Sequence, residues 1–152
     1  MTVESVRRFF AAHAPDLTVI ETPDSSATVA MAAAVHGVEP AQIAKTICLR
    51  VGGTVLLVVM SGTARLDNRK SRDTFGGKPR MLDSEDVVAL TGHPVGGVCP
   101  FGLATALPVY CDLSLRAYQE VLPAAGAVNA AVRIAPQTMA ELVRAVWVDV
   151  CQ

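Results

Sequence analysis

Lys45 is the only charge in Gln42-Ile43-Ala44-Lys45-Thr46-Ile47-Cys48-Leu49, a segment otherwise branched and apolar enough to read as a core strand. An ammonium there must reach water, a partner or a ligand. Strand alternation could turn it to solvent, or its stem could snorkel to an edge. Held against a cleft wall, in low dielectric, it would instead attract a phosphate or a developing oxyanion. A second candidate is Thr91-Gly92-His93-Pro94-Val95-Gly96-Gly97-Val98-Cys99-Pro100-Phe101-Gly102. Its glycines permit close backbone approach and its prolines limit its freedom, so it could aim peptide N–H groups at a bound carbonyl or phosphate. A tight structural crossing would have the same composition. The loop does not fit G-x-x-x-x-G-K-[ST], so a nucleoside-triphosphate loop is not supported. Within it, Cys99 could act as a thiol nucleophile with His93 as base. Small buried cysteines are common, however, and a structural or substrate-shaping role outweighs covalent catalysis.

Charge placement is the third feature. Arg65, Arg69, Lys70, Arg72, Lys78 and Arg80 face only Asp67 and Asp73, six positive against two negative, a local formal +4. Such a run fits a solvated helix and equally a patch that holds an RNA phosphate backbone. With 5% aromatic residues, broad base stacking is weakly supported. His13 and His36 fall near helix ends, where capping or exposure explains them. Cys48, Cys111 and Cys151 sit in strand-like contexts and read as core. No C-x-x-C spacing occurs and the three histidines are scattered, so no metal site is expected and the thiols should be reduced.

The elements that must position these residues follow from the apolar pattern. Val3, Val6 and Phe10 mark a helix over 3–14 after a cap at Thr2, Leu17 to Ile20 a short strand, and 28–36 a second helix stopped by Gly37. Ile43–Val51 and Thr54–Met60, separated by Gly52-Gly53, predict a β-hairpin. A charged helix is expected over 67–75, a strand over 80–82, and a helix capped by Asp83 or Ser84 reaching Leu90. After the glycine loop come a strand near 105–111, a helical face at Leu115, Tyr118 and Leu122, a strand over 129–134, and a last helix from Pro136 to Val146. Hairpin and irregular connections outweigh regular strand–helix alternation. The expected fold is therefore α+β, a curved, largely antiparallel or mixed sheet with surrounding helices, in a single domain over 1–152.

Composition bounds the partners. The chain has 152 residues, 51% of them hydrophobic, enough for one core and too apolar for disorder. A formal net charge of -1 excludes the strongly basic surface of a nucleic-acid packaging protein. The long uncharged stretch from Val87 to Cys111 is broken by glycine and proline, so no membrane span is expected. MTVESVRRFF lacks the marks of a secretory signal, and a cytoplasmic location is the expectation. No heptad seam identifies a subunit contact.

Three segments taken in order carry a resemblance: Ile43-Ala44-Lys45-Thr46-Ile47, the loop from Thr91 to Gly102, and Ala125-Gly126-Ala127-Val128-Asn129-Ala130-Ala131-Val132-Arg133-Ile134. Together they resemble the YbaK/prolyl-tRNA synthetase-associated domain family, over nearly the whole chain. The resemblance implies a free-standing deacylase that clears, in trans, tRNA charged with the wrong small or polar amino acid, using no cofactor. It carries the family's essential lysine onto Lys45 and its glycine loop onto Gly96 and Gly97. It implies substrate contacts at Thr46, His93, Cys99, Pro100 and Asn129, and the charge placement above marks Arg65, Arg69, Lys70 and Arg72 as the expected RNA-binding patch. The implied partners are mischarged tRNA and an aminoacyl-tRNA synthetase. The alternative is a noncatalytic tRNA- or synthetase-binding module of the same fold.

Overall fold

The structure is a computed structural model that describes residues 2–152. The cap read at Thr2 rests on a side chain outside the described ones. In chain order the elements are α1 (Thr2–His13), β1 (Ile20–Glu21), α2 (Val29–His36), β2 (Ile43–Val51), β3 (Thr54–Ser61), α3 (Asn68–Phe75), β4 (Arg80–Met81), α4 (Ser84–Thr91), β5 (Val109–Asp112), β6 (Leu122–Pro123), β7 (Ala130–Ala131), α5 (Pro136–Leu142) and β8 (Val146–Val148). The main sheet runs β4-β2-β3-β5-β8, with β6 also beside β2, and β1 pairs β7 apart from it. The β2–β3 and β2–β4 pairs are antiparallel, while β2–β6, β3–β5 and β5–β8 are parallel. The sheet is thus mixed, within an α+β fold.

Local chemistry sets most of these boundaries. Gly52 turns the β2–β3 hairpin at φ +58°, a conformation that costs glycine little. Thr28, Asp67 and Asp83 cap α2, α3 and α4 by accepting from the N–H groups of Met31, Lys70 and Asp86. Gly37, Gly76 and Gly92 close the same helices in the left-handed conformation.

Strand alternation divides the hairpin between two cores. Ala44, Cys48, Leu57 and Val59 face a core with Val6, Phe10, Cys99, Phe101 and Cys111. Leu49, Val51, Leu56, Val58 and Met60 face a second with Val150 and Cys151. The first is anchored by aromatic packing, with the Phe10 and Phe101 rings 4.8 Å apart.

Five expected elements differ. The strand expected from Leu17 to Ile20 is instead Ile20–Glu21, where the ladder with β7 lies. The helix expected through Leu115, Tyr118 and Leu122 is a 3-10 turn over Leu113–Ala117, and Leu122 lies in β6. Leu122 precedes Pro123, and a pre-proline residue is pushed out of the helical region into extended backbone. The strand expected near 105–111 begins at Val109, just beyond Pro108, which has no N–H to give a ladder. The strand expected over 129–134 is confined to Ala130–Ala131. The last helix ends at Leu142, Arg144 turns the chain at φ +55°, and Val146 enters β8.

Asp112 joins β5 to the C-terminal segment. It is buried, and its oxygens accept from Val150 N–H at 2.8 Å and Ser114 N–H at 2.9 Å. Burial opposes the charge, but these hydrogen bonds prevail and hold the carboxyl below its ordinary pKa. Its folded value lying below its unfolded one, the stability it contributes is present above the unfolded pKa and is lost as pH falls through the folded pKa. Asp112→Ala should cost about 1–3 kcal/mol for each amide left unpaired. Urea unfolding across an acidic pH series should show both the loss and a shallower acid dependence in the variant; unchanged stability would remove Asp112 as the tie.

Candidate functional site

A cavity of about 300 Å³ opens beside β2, lined along the strand by every residue from Ile43 to Cys48. Val29, Ala32 and His36 of α2, Val87 of α4, Leu122 and Ala124 around β6, and Ala130 and Ala131 of β7 complete most of its wall. Val95, Gly96 and Val98 come from the glycine loop. The lining is mostly aliphatic, the composition expected of a small-molecule site with a few placed polar groups. Met81 and Val95 are exposed at its rim.

Lys45 and Gly96 therefore line one cavity. The register pairs Lys45 with Met60, so its side chain leaves β2 on the face of the second core, opposite Ala44, Thr46 and Cys48. It does not run free into solvent. Its Nζ donates to the carbonyl of Ala64 at 2.6 Å and to that of Gly62 at 3.1 Å, at the end of the turn leaving β3. Burial lowers its pKa from the ordinary lysine value. An ammonium has three donors, so one remains for a ligand.

The seat of this lysine depends on Gly62. A Cβ there would lie 2.3 Å from the Pro40 carbonyl oxygen and 2.7 Å from Val29 Cγ1, so only glycine brings that backbone close enough. The glycine bend is built likewise. A Cβ at Gly97 would fall 2.6–2.8 Å from backbone atoms of Ala127, and Gly96 adopts φ +91°. Gly97 N–H donates to Pro94 at 2.8 Å, and Gly97 C=O accepts from Gly126 at 3.0 Å. Gly97 is thus spent on holding the bend, is buried, and does not line the cavity; Gly96 does.

Several expected substrate contacts fall elsewhere. His93, Cys99 and Pro100 are buried behind the cavity and do not line it. His93 Nε2 lies 2.7 Å from the Phe101 carbonyl oxygen, which can only accept, so in the neutral ring Nε2 carries the proton. That same nitrogen is 3.5 Å from Cys99 Sγ, and a protonated nitrogen cannot take the thiol's proton. Burial pushes the Cys99 thiol up to about 12. The pair is a packed structural unit and offers no activated nucleophile. Asn129 also stays off the cavity wall: its Nδ2 donates to Thr22 C=O at 2.9 Å and its own carbonyl accepts from Thr22 N–H at 2.9 Å, pinning β7 to the chain after β1.

Thr46 lines the cavity with a buried hydroxyl that has no hydrogen-bond partner among the described residues. His36, read from sequence as a capping or exposed residue, also lines it, with a buried and unpartnered Nε2. Burial, and then Arg133, lower its pKa, favouring the neutral ring. Nothing in its local sequence signals this, because the cavity is made by α2 crossing β2.

Arg65, Arg69, Lys70 and Arg72 are all exposed on or just before α3. Lys70 is partly neutralised, bonding Asp149 Oδ1 at 3.1 Å and the Cys151 carbonyl at 2.9 Å. The three arginines carry no ion pair among the described residues. Arg65 follows directly on Ala64, whose carbonyl holds Lys45, so the basic surface begins at the lysine's own seat. Among the described residues no cluster fit for a metal ion occurs and no helix is long and apolar enough to cross a membrane.

Comparison with known proteins gives three kinds of likeness. The family model for the aminoacyl-tRNA editing domain matches residues 23–142. "Uncharacterized protein YwhH" of Bacillus subtilis (strain 168) is 46% identical, over 100% of this chain and 98% of its own length. "Putative Cys-tRNA(Pro)/Cys-tRNA(Cys) deacylase EbsC" of Enterococcus faecalis (strain ATCC 700802 / V583) is 27% identical over 75% of this chain and 71% of its own. A solved structure described as "a putative trans-editing enzyme for prolyl tRNA synthetase" superposes with a TM-score of 0.92 at 34% identity, covering 99% of this chain and 97% of the other.

Burial of all four cysteines sets a chemical expectation. Titration with a thiol-specific disulfide reagent at mildly alkaline pH should register little in the native protein and all four thiols after unfolding in urea. Rapid labelling of Cys99 in the native state would overturn the structural reading of the Cys99–His93 pair.

Proposed function

The chain belongs to the aminoacyl-tRNA editing domain family, and on that footing we propose that it is a deacylase acting in trans on mischarged tRNA. Its substrate would be the ester joining a small or polar amino acid to the terminal ribose, and its products the free amino acid and the uncharged tRNA. The reading takes the whole chain, 1–152, as one editing unit, working in the cytoplasm beside an aminoacyl-tRNA synthetase. The likeness to the structure described as "a putative trans-editing enzyme for prolyl tRNA synthetase" supports it.

One observation carries the chemistry: Lys45, its ammonium held by two carbonyls, and Gly96 of the bend border a single apolar cavity. The third ammonium donor would take a phosphate or ribose oxygen and stabilise negative charge as the ester carbonyl is attacked by water. The Gly96 backbone would help orient the acyl group, saving the entropy of alignment. Arg65, Arg69 and Arg72 would draw in the phosphate backbone along the surface that begins at Ala64. Discrimination would rest on exclusion by volume, because a one-methylene difference read by attraction alone yields only roughly 1–3 kcal/mol.

The test is a deacylation screen over a panel of mischarged tRNAs. Wild-type protein should release free amino acid from at least one of them. Lys45→Ala should lower that turnover by about a hundredfold or more, the scale for removing one charge-stabilising donor, while the thermal transition is retained. Lys45→Met, which keeps the stem, covers the case in which alanine disturbs folding. Cys99→Ala should retain activity. Wild-type protein that binds aminoacyl-tRNA but never releases amino acid would favour the noncatalytic module.

A further inference from the structure

The outer edge of β2 is interrupted. It pairs with β6 at Ile43 and Ala44 and with β4 at Leu49 and Arg50, and no described strand pairs the residues between. Odd-numbered residues of β2 turn their peptide groups toward β3, as the bond from Gly62 N–H to Ile43 C=O requires. Even-numbered residues turn theirs outward, as the bond from Leu82 N–H to Cys48 C=O requires. Thr46 N–H and C=O therefore point into the break. The cavity lies along this stretch of strand, and Thr46 is one of the residues that line it.

A free donor and acceptor at a strand edge invite strand addition. Of the four residues between the two pairings, Cys48 already accepts from Leu82, so the open length is three, Lys45 to Ile47, roughly 10 Å at the usual rise per residue. With a strand at each end of it, the break has room for one residue and not for a peptide strand. An α-aminoacyl ester is a single residue whose amine and acyl carbonyl are spaced as in a strand.

Resting on the deacylase reading, we propose that this break is the seat of the α-aminoacyl group. Thr46 C=O accepts from the substrate's α-ammonium, and Thr46 N–H donates to its acyl carbonyl. The substrate completes the sheet as a one-residue strand, and the acyl carbonyl is fixed by main chain that no side-chain substitution removes. The ammonium is recognised by a peptide oxygen in a mostly apolar cavity, so a free α-amine becomes a condition of turnover. Esters with a blocked amine are refused, because acylation removes the charge and puts a bulky group where Thr46 C=O must approach.

The experiment compares one misacylated tRNA from the panel with the same tRNA after N-acetylation of its amino acid, using wild-type protein. Acetylation should lower kcat/KM by roughly tenfold or more, the scale for losing a charged hydrogen bond. Equal rates would overturn the Thr46 seat and leave the deacylase reading standing. Failure to hydrolyse any free-amine substrate would overturn the deacylase reading instead. The seat is then decided by binding. In ¹⁵N-labelled protein the Thr46 amide resonance should shift with 3′-serylamido-3′-deoxyadenosine, whose amide replaces the ester, and should stay in place with its N-acetyl derivative. No shift with the free-amine compound, or equal shifts with both, overturns the proposal.

Discussion

The arrangement of the site depends on one asymmetry in β2. Its inner edge is paired along its full length with β3, while its outer edge is shared between β6 and β4 with a break between them. A strand held rigidly on one side can leave peptide groups open on the other without fraying. The cavity forms along that break, and its wall includes consecutive residues of both parities from Ile43 to Cys48. A cavity at a strand edge meets the main chain of consecutive residues, whichever face their side chains take.

Lys45 shows what this costs. Its ammonium leaves β2 beside Met60 and Ile47, toward an apolar core, and burial there disfavours the charged form. Two carbonyl oxygens offset the lost hydration. Those oxygens are within reach because Gly62 lets the chain pass against Pro40 and Val29 without a side chain. The bend at Gly96 and Gly97 follows the same logic, packed onto Ala127 and Ala27 so closely that a Cβ would meet them at 2.9 Å or less. Glycine at these places is a condition of geometry: Gly62 seats Lys45, Gly97 holds the bend, and Gly96 itself lines the cavity.

Most of the frame was legible in the amino-acid sequence, and the reason is local. The hairpin, the capped helices α2 to α4 and the glycine loop are each specified by residues adjacent in the chain: Gly52 at the turn, Thr28, Asp67 and Asp83 at the caps. Lys45 was visible because a lone charge in an apolar run needs a partner. What could not be read was set by neighbours distant in sequence. Apolar spacing at Leu115, Tyr118 and Leu122 suggests a helix until Pro123 and the pairing with β2 draw Leu122 into a strand. His36 does end α2, as its place in the chain suggests, but it also lines the cavity because α2 packs against β2. Cys99 and His93 were close enough in sequence to suggest a dyad, and only the Phe101 carbonyl, which fixes the imidazole proton on the shared nitrogen, separates structure from chemistry there.

On the proposed reading, the two sides of β2 would divide the work that recognition of a charged polymer with a small acyl end demands. Positive charge lies on the side where Lys45 leaves the strand, continuing through Arg65 to the exposed arginines of α3. In water such charges act over about 10 Å at moderate salt, enough to gather a phosphate backbone but too coarse to tell one amino acid from another. The other side is aliphatic and closely walled, with Thr46 and His36 as its unpartnered polar points. There, steric fit and the cost of leaving a polar atom unpaired would discriminate at the scale of single atoms, where net charge has little influence. Because the arginines of α3 lie outside the cavity wall, attraction and discrimination would fall to different residues. On the proposed reading, a change among the α3 arginines would alter capture without touching the pocket, and a change in the pocket wall would alter selection without weakening capture.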